Sequence, residues 1–323
     1  MTTPSLPLLL SKSLPGWLEA AQAPGAAVAL LERGKEPAFL CAGVASRAAP
    51  APIHPLTVFE AASLGKPIFA ALALELAAGG LFDLDAPLSD LLPDPWVPGD
   101  DRLPLVTARR VLSHSTGFPN WFWDGAPRFD FTPGERFGYS GVGYQYLQKV
   151  VERLAGRSLD DLASERIFTP LGMARSRYTW PQELAQETAY GHPPEGEPLK
   201  KWEPTPSAGA SLHSTLADYA RFLQAMLDGS LPAAAQMLQP HTPIHPSLAW
   251  GLGWGLLSAP AGPVFWQWGD STGYKHMAAG SMEEGRAVLV FTNGEHGWMV
   301  WKEILHATLD PGDEIWKFLD QLY

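Results

Sequence analysis

The order of the elements constrains this chain most, because strand-like runs sit at both ends and helical runs lie between them. Residues 24–33 (PGAAVALLER) and 37–45 read as two short strands folded about Gly34, with 58–62 a further extended stretch. Strand-like runs return at 251–257, 264–268, 274–282 and 286–293. The best helix candidates are 63–78, 108–113, 142–154, 159–167 and 215–227, and 298–323 reads as two helical pieces divided by Pro311-Gly312. The expected fold is α+β: one antiparallel sheet built from both chain termini and flanked by helices. Residues 1–80 and 202–323 would form the sheet domain, and 81–201, rich in Pro, Asp and Gly, a mostly helical insertion. At 323 residues the chain has ample length to bury such a core.

Composition narrows the function. A formal net charge of −11, with no basic run to offset it, speaks against a nucleic-acid partner. The longest apolar stretches, such as 68–74, fall far short of the roughly 20 residues that span a bilayer. Cys41 has no partner for an intrachain disulfide. The apolar patch at 6–10 is interrupted by Pro7 and followed, not preceded, by Lys12, the wrong polarity for a secretory signal. The expectation is a cytoplasmic protein that does not bind membranes. No metal or cofactor motif stands out. His241 and His245 have helical spacing, but Pro240, Pro243 and Pro246 argue for a loop. His114 and His213 are lone residues, which more often serve as hydrogen-bonded structural groups than as ligands.

The sharpest chemical feature is Ser63-Leu64-Gly65-Lys66 at the start of the apolar helix expected over 63–78. Three residues is nearly one turn, so both side chains lie on one face. A serine hydroxyl needs a base to take its proton, and a lysine amine becomes one when desolvation lowers its pKa. Lys66 is flanked by Leu64, Pro67, Ile68 and Phe69, the surroundings a buried base requires. Pro67 falls within the first turn, where its missing N–H breaks no intrahelical bond. By itself a serine followed by lysine at this spacing arises easily by chance, and a solvent-facing lysine is the bland alternative.

Several further segments occur in an order that resembles the serine β-lactamase and penicillin-binding-protein-like hydrolases, in the branch of class C β-lactamases and carboxylesterases. Phe59-Glu60-Ala61-Ala62-Ser63-Leu64-Gly65-Lys66 resembles the approach to that family's nucleophile helix, and residues 80–87 (GLFDLDAP) the stretch after it. Residues 111–119 (VLSHSTGFP), 168–173 (FTPLGM), Ser207-Ala208-Gly209 and Gly251-Leu252-Gly253-Trp254 follow in the family's order. The resemblance implies Ser63 as nucleophile, Lys66 as base and Tyr139 as proton relay. It places the backbone N–H groups of Ser63 and Asp270 as the oxyanion hole, with Gln267, Trp268, Gly269 and Asp270 along the strand that lines the substrate. Two positions depart from the pattern. Gly141 stands where the family has an asparagine after its tyrosine, and Gln267 where it has Lys or His. Gln267 cannot titrate and only hydrogen-bonds, so a substrate carboxylate loses its usual cationic partner.

Rival readings remain. Gly269-Asp270-Ser271-Thr272-Gly273 matches the G-x-S-x-G nucleophile elbow, which needs a strand before it and a helix after it, whereas strand-like sequence follows. Trp121, Trp123, Trp266 and Trp268 could wall an apolar acyl pocket, although most of the thirteen tryptophans are expected in the core. The expected function is a serine hydrolase acting through an acyl-enzyme on a small-molecule ester or amide, with an ester favoured. A β-lactam or D-amino peptide is the alternative substrate, and a catalytically inactive binding module on the same fold the alternative of another kind.

Overall fold

The computed structural model describes residues 5–92, 96–122, 125, 127–180, 182–195, 197–199, 205–259 and 262–320. The chain opens with helix α1 (Leu6–Ala20), then β1 (Gly25–Glu32), β2 (Ala38–Gly43), β3 (Val58–Ala62) and α2 (Gly65–Ala78). The middle carries α3 (Leu88–Leu91), α4 (Ala108–Leu112), α5 (Gly141–Ala155) and α6 (Leu159–Ala163), which runs on into a π-helical turn, Ser164–Phe168. Then come β4 (Leu212–Thr215), α7 (Leu216–Leu227) and α8 (Ala234–Met237). The strands β5 (Thr242–His245), β6 (Leu248–Trp250), β7 (Gly255–Ala259), β8 (Gly262–Ser271), β9 (Tyr274–Ser281) and β10 (Arg286–Thr292) form a meander, closed by α9 (Gly297–Thr308) and α10 (Glu314–Leu319).

The α+β architecture expected from the order of elements is present. Eight strands form one sheet in the order β2-β1-β10-β9-β8-β7-β6-β5, every neighbour antiparallel. The two chain ends meet where β1 pairs β10, from Ala26 opposite Thr292 to Glu32 opposite Arg286. The central strands β1, β8, β9 and β10 are buried on both faces along most of their length, so they carry nearly continuous apolar runs. On one face a core of α1, α9 and α10 side chains packs against Trp250, Trp266, Trp268 and Val290. On the other, α2 and α7 pack with the helices of the middle region. α2 is apolar all round and buried on nearly every side, the pattern of a central helix rather than a surface one.

Several local expectations change. Residues 251–257 do not form one strand: β6 ends at Trp250, Gly251–Trp254 turn, and β7 begins at Gly255. Gly253 makes that turn at φ +91°, a conformation open to glycine at little cost. The prolines around His241 and His245 do not enforce a loop either. Thr242–His245 is the edge strand of the sheet, where Pro243 leaves no ladder partner unsatisfied. The apolar patch at 6–10 belongs to α1, in which Pro7 sits harmlessly in the first turn and Leu10, Leu14 and Leu18 recur every four residues to bury one face. β3 leaves the large sheet altogether and pairs with β4 in a separate two-stranded one. No helix among the described residues is long and apolar enough to cross a membrane.

Candidate active site

β3 and α2 deliver the serine. Ala62, the last residue of β3, adopts φ +50°, a strained setting for alanine that turns the backbone sharply before Ser63. β3 itself is pinned from the large sheet. The His276 ring nitrogen Nε2 lies 2.8 Å from the Glu60 carbonyl, and Ser271 Oγ donates to Glu60 Oε1 at 2.7 Å. α2 then starts at Gly65, so Ser63 stands just outside the helix and Lys66 in its first turn.

Lys66 is fully buried while Ser63 is only partly so, which leaves the serine hydroxyl reachable and seals its neighbour. Lys66 Nζ donates to Ser63 Oγ at 2.9 Å and to the carbonyl of Gly209. Burial pushes the ammonium pKa down to about 7. A neutral amine in this position still donates to Gly209 and turns its lone pair to the Ser63 hydroxyl. In the sequence Gly209 stands out only as part of Ser207-Ala208-Gly209, because a main-chain carbonyl leaves no side-chain signal of its contact. Its loop is held by Gln148 Oε1, which accepts from Ala208 N at 2.9 Å.

The Lys66 shift has a consequence for stability. Between about pH 7 and its ordinary 10.5, the unfolded chain holds a proton on Lys66 that the folded chain has released. The stability contribution therefore rises with pH across that window, by a few kcal/mol as an order of magnitude. Denaturant titrations from about pH 7 to about pH 10 are expected to show this rise. A Lys66→Met variant should lack it.

Tyr139 lies against the same pair. The Lys66 ammonium is 4.7 Å from its ring centre, and Gln267 Nε2 donates to its hydroxyl at 2.9 Å. Burial raises the phenol pKa, opposed by hydrogen bonding to Ser63 and Gln267, so near neutrality the group is a phenol and a proton donor. His114 frames it from behind, its ring centre 4.2 Å from that of Tyr139 and its Nδ1 accepting from Ser140 N at 3.0 Å. Trp268 covers the other flank at 4.6 Å. His114 and His213 thus both have structural hydrogen bonds, His213 through the Ser211 carbonyl.

The structure brings Ser63, Lys66, Tyr139 and Gln267 into direct contact through chain separations of up to about 200 residues. Gly269 passes so close to β3 that a Cβ there would lie 2.5 Å from the Ala61 carbonyl, which sets Asp270 beside the serine turn. The Asp270 carboxylate faces away to Lys275 Nζ at 2.8 Å, which also holds Glu295 at 2.7 Å. The nucleophile-elbow reading fails: residues 269–273 end β8 and turn into β9, and Ser271 hydrogen-bonds a carboxylate. Trp266 is sealed within the sheet's outer core rather than lining a pocket, and Trp123 lies outside the described residues.

The glycine at 141 has a physical partner. A Cβ on Gly141 would meet the Trp121 indole at 2.5 Å, so the indole fills the space a side chain would need. Gly141→Asn is expected to destabilise the protein by ~1–3 kcal/mol through overpacking, and a Trp121→Ala change in the same chain should recover much of that loss in a thermal melt.

A partly exposed serine, a buried amine 2.9 Å from it and a phenol against both form an arrangement that fits the serine hydrolase class. The profile of the β-lactamase family matches residues 15–308, and the chain belongs to that family. It is 31% identical to penicillin-binding protein 4 of Amycolatopsis lactamdurans, over 84% of this chain and 81% of that one. It is 29% identical to the esterase EstB of Burkholderia gladioli, over 83% of this chain and 85% of the esterase. Among solved structures, a class C β-lactamase superposes with a TM-score of 0.83 at 18% identity, covering 94% of this chain and 95% of that one. The D-alanine carboxypeptidase AmpC of Burkholderia cenocepacia does so at 0.83 and 20%, covering 94% and 98%.

Proposed function

We propose that the protein is an esterase that works through an acyl-enzyme on Ser63. Neutral Lys66 takes the hydroxyl proton as the serine attacks the ester carbonyl. Backbone N–H groups of Ser63 and Asp270 hold the developing oxyanion. Tyr139 passes a proton to the departing alkoxide, and water activated by the same groups releases the acyl group. Residues 1–80 and 202–323 would act as the sheet domain and 81–201 as the helical one that closes the cleft. As the single cysteine, Cys41 fits work in the reducing cytoplasm.

The observation that carries this reading is the Lys66 amine, fully buried and 2.9 Å from Ser63 Oγ. The preference for an ester rests on two substitutions at the places that would grip other substrates. Gln267 is uncharged and spends its amide on Tyr139, and Trp121 occupies the volume beside Gly141. The likeness to an esterase over most of the chain supports the same choice. Turnover of a p-nitrophenyl ester is expected to exceed that of a chromogenic cephalosporin by about 100-fold or more in kcat/KM, the discrimination a site lacking the needed polar partner gives. A larger kcat/KM for the cephalosporin would return the assignment to β-lactam hydrolysis. The ester rate should rise with pH through about 7, as Lys66 loses its proton.

A further inference from the structure

Beside the oxyanion strand lies a cavity of about 330 Å³ that the hydrolytic groups do not use. Its walls are Trp298 and Trp301 of α9, Trp316 and Leu319 of α10, and Lys275 of β9. We propose that this cavity is a specificity pocket for an uncharged aromatic group of the substrate ester. The proposal rests on the esterase reading above and adds the kind of ester.

Position is the first argument. Lys275 lines the cavity and bonds the carboxylate of Asp270, so one side chain separates the pocket from the strand residue that would face the reacting carbonyl. α10 serves both places. Trp316 and Leu319 wall the cavity, and Phe318 between them packs 6.4 Å from Trp268, which in turn lies 4.6 Å from Tyr139.

Charge is the second. Among the lining groups Lys275 and Lys302 offset Glu295 and Asp320, so their formal charges cancel. Both ammonium groups are engaged already, Lys275 with two carboxylates and Lys302 over the Trp316 ring at 5.3 Å. A substrate carboxylate would find no spare partner in either, whereas a neutral ring gains from three indoles.

Unmet hydrogen bonding is the third. Trp301 and Trp316 stack at 5.6 Å, and both indole N–H groups are buried with no acceptor among the described residues. The unpartnered indoles of Trp250, Trp254 and Trp266 are sealed in the core, whereas Trp301 and Trp316 line the cavity. A space of about 150 Å³ suffices for benzene in an apolar cavity, so a phenyl or benzyl group fits with room for its linker. Trp298, 42% exposed in the first turn of α9, stands at the lip.

The test compares kcat/KM for matched esters, ethyl against benzyl on the alcohol side and acetyl against phenylacetyl on the acyl side. The wild-type protein is measured beside Trp298→Ala and Trp298→Phe. The expected result is a preference for the aromatic member of one series that falls about tenfold in Trp298→Ala. Trp298→Phe should keep most of it, and the small aliphatic ester should be turned over equally by all three. A parallel change of both members of each pair, or no aromatic preference in either series, overturns the pocket while leaving the esterase standing. Absence of turnover for every ester by the wild-type protein overturns the esterase reading itself, and the pocket's role with it.

Discussion

Replacing Lys66 with methionine is expected to lower kcat by ~10³-fold or more while the fold persists, because the substitution removes the base and keeps the volume. Among the described residues, no other group hydrogen-bonded to Ser63 is a base near neutrality. The Tyr139 phenol is held protonated by burial, and the His114 Nδ1 is occupied by the Ser140 amide while burial lowers that ring's basicity. Burial disfavours the charged form of Lys66, so replacing it with methionine removes a desolvation cost on folding rather than adding one. Ester kinetics beside a thermal melt separate the two effects. An unchanged or higher melting temperature with lost turnover is the expected pair, and near-normal turnover would remove Lys66 from the mechanism.

Gly269→Ala should be almost as damaging for a different reason. The added methyl would sit 2.5 Å from the Ala61 carbonyl, a main-chain atom that cannot rotate aside. β8 must then move away from β3, and the Asp270 N–H moves with it relative to Ser63. A displaced oxyanion donor costs ~10²-fold in kcat, accompanied by a stability loss of ~1–3 kcal/mol. The signature that marks this mechanism is a fall in kcat with KM little changed, since an oxyanion contact forms mainly in the transition state. A change confined to stability would show that the strand crossing is structural alone.

What could be read from the sequence was local or ordered along the chain. The serine–lysine spacing is one helical turn, and the apolar residues around Lys66 announced its burial before any contact was visible. The succession of strands and helices was enough to expect a sheet of both termini, which β1 against β10 joins. Contacts that depend on distant pairing were not legible. Nothing in residues 110–145 says that Trp121 lies on Gly141, and nothing near Asp270 says that Lys275 and Glu295 will take its carboxylate. Short edge strands failed for a related reason. Thr242–His245 carries two of the signals of a loop, proline and exposure, and becomes a strand only because β6 is there to pair with it. The tryptophans were ambiguous by composition. Trp266 and Trp268 are neighbours in one strand, yet the first is sealed in core while the second reaches Tyr139.

The central claim is that Ser63 is an activated nucleophile, and intact-mass and peptide mapping after treatment with a fluorophosphonate probe tests it most directly. A single adduct on Ser63, absent from Ser63→Ala and greatly slowed in Lys66→Met, is the predicted result. An adduct on Ser271, or no adduct on the folded wild-type protein, would contradict the account.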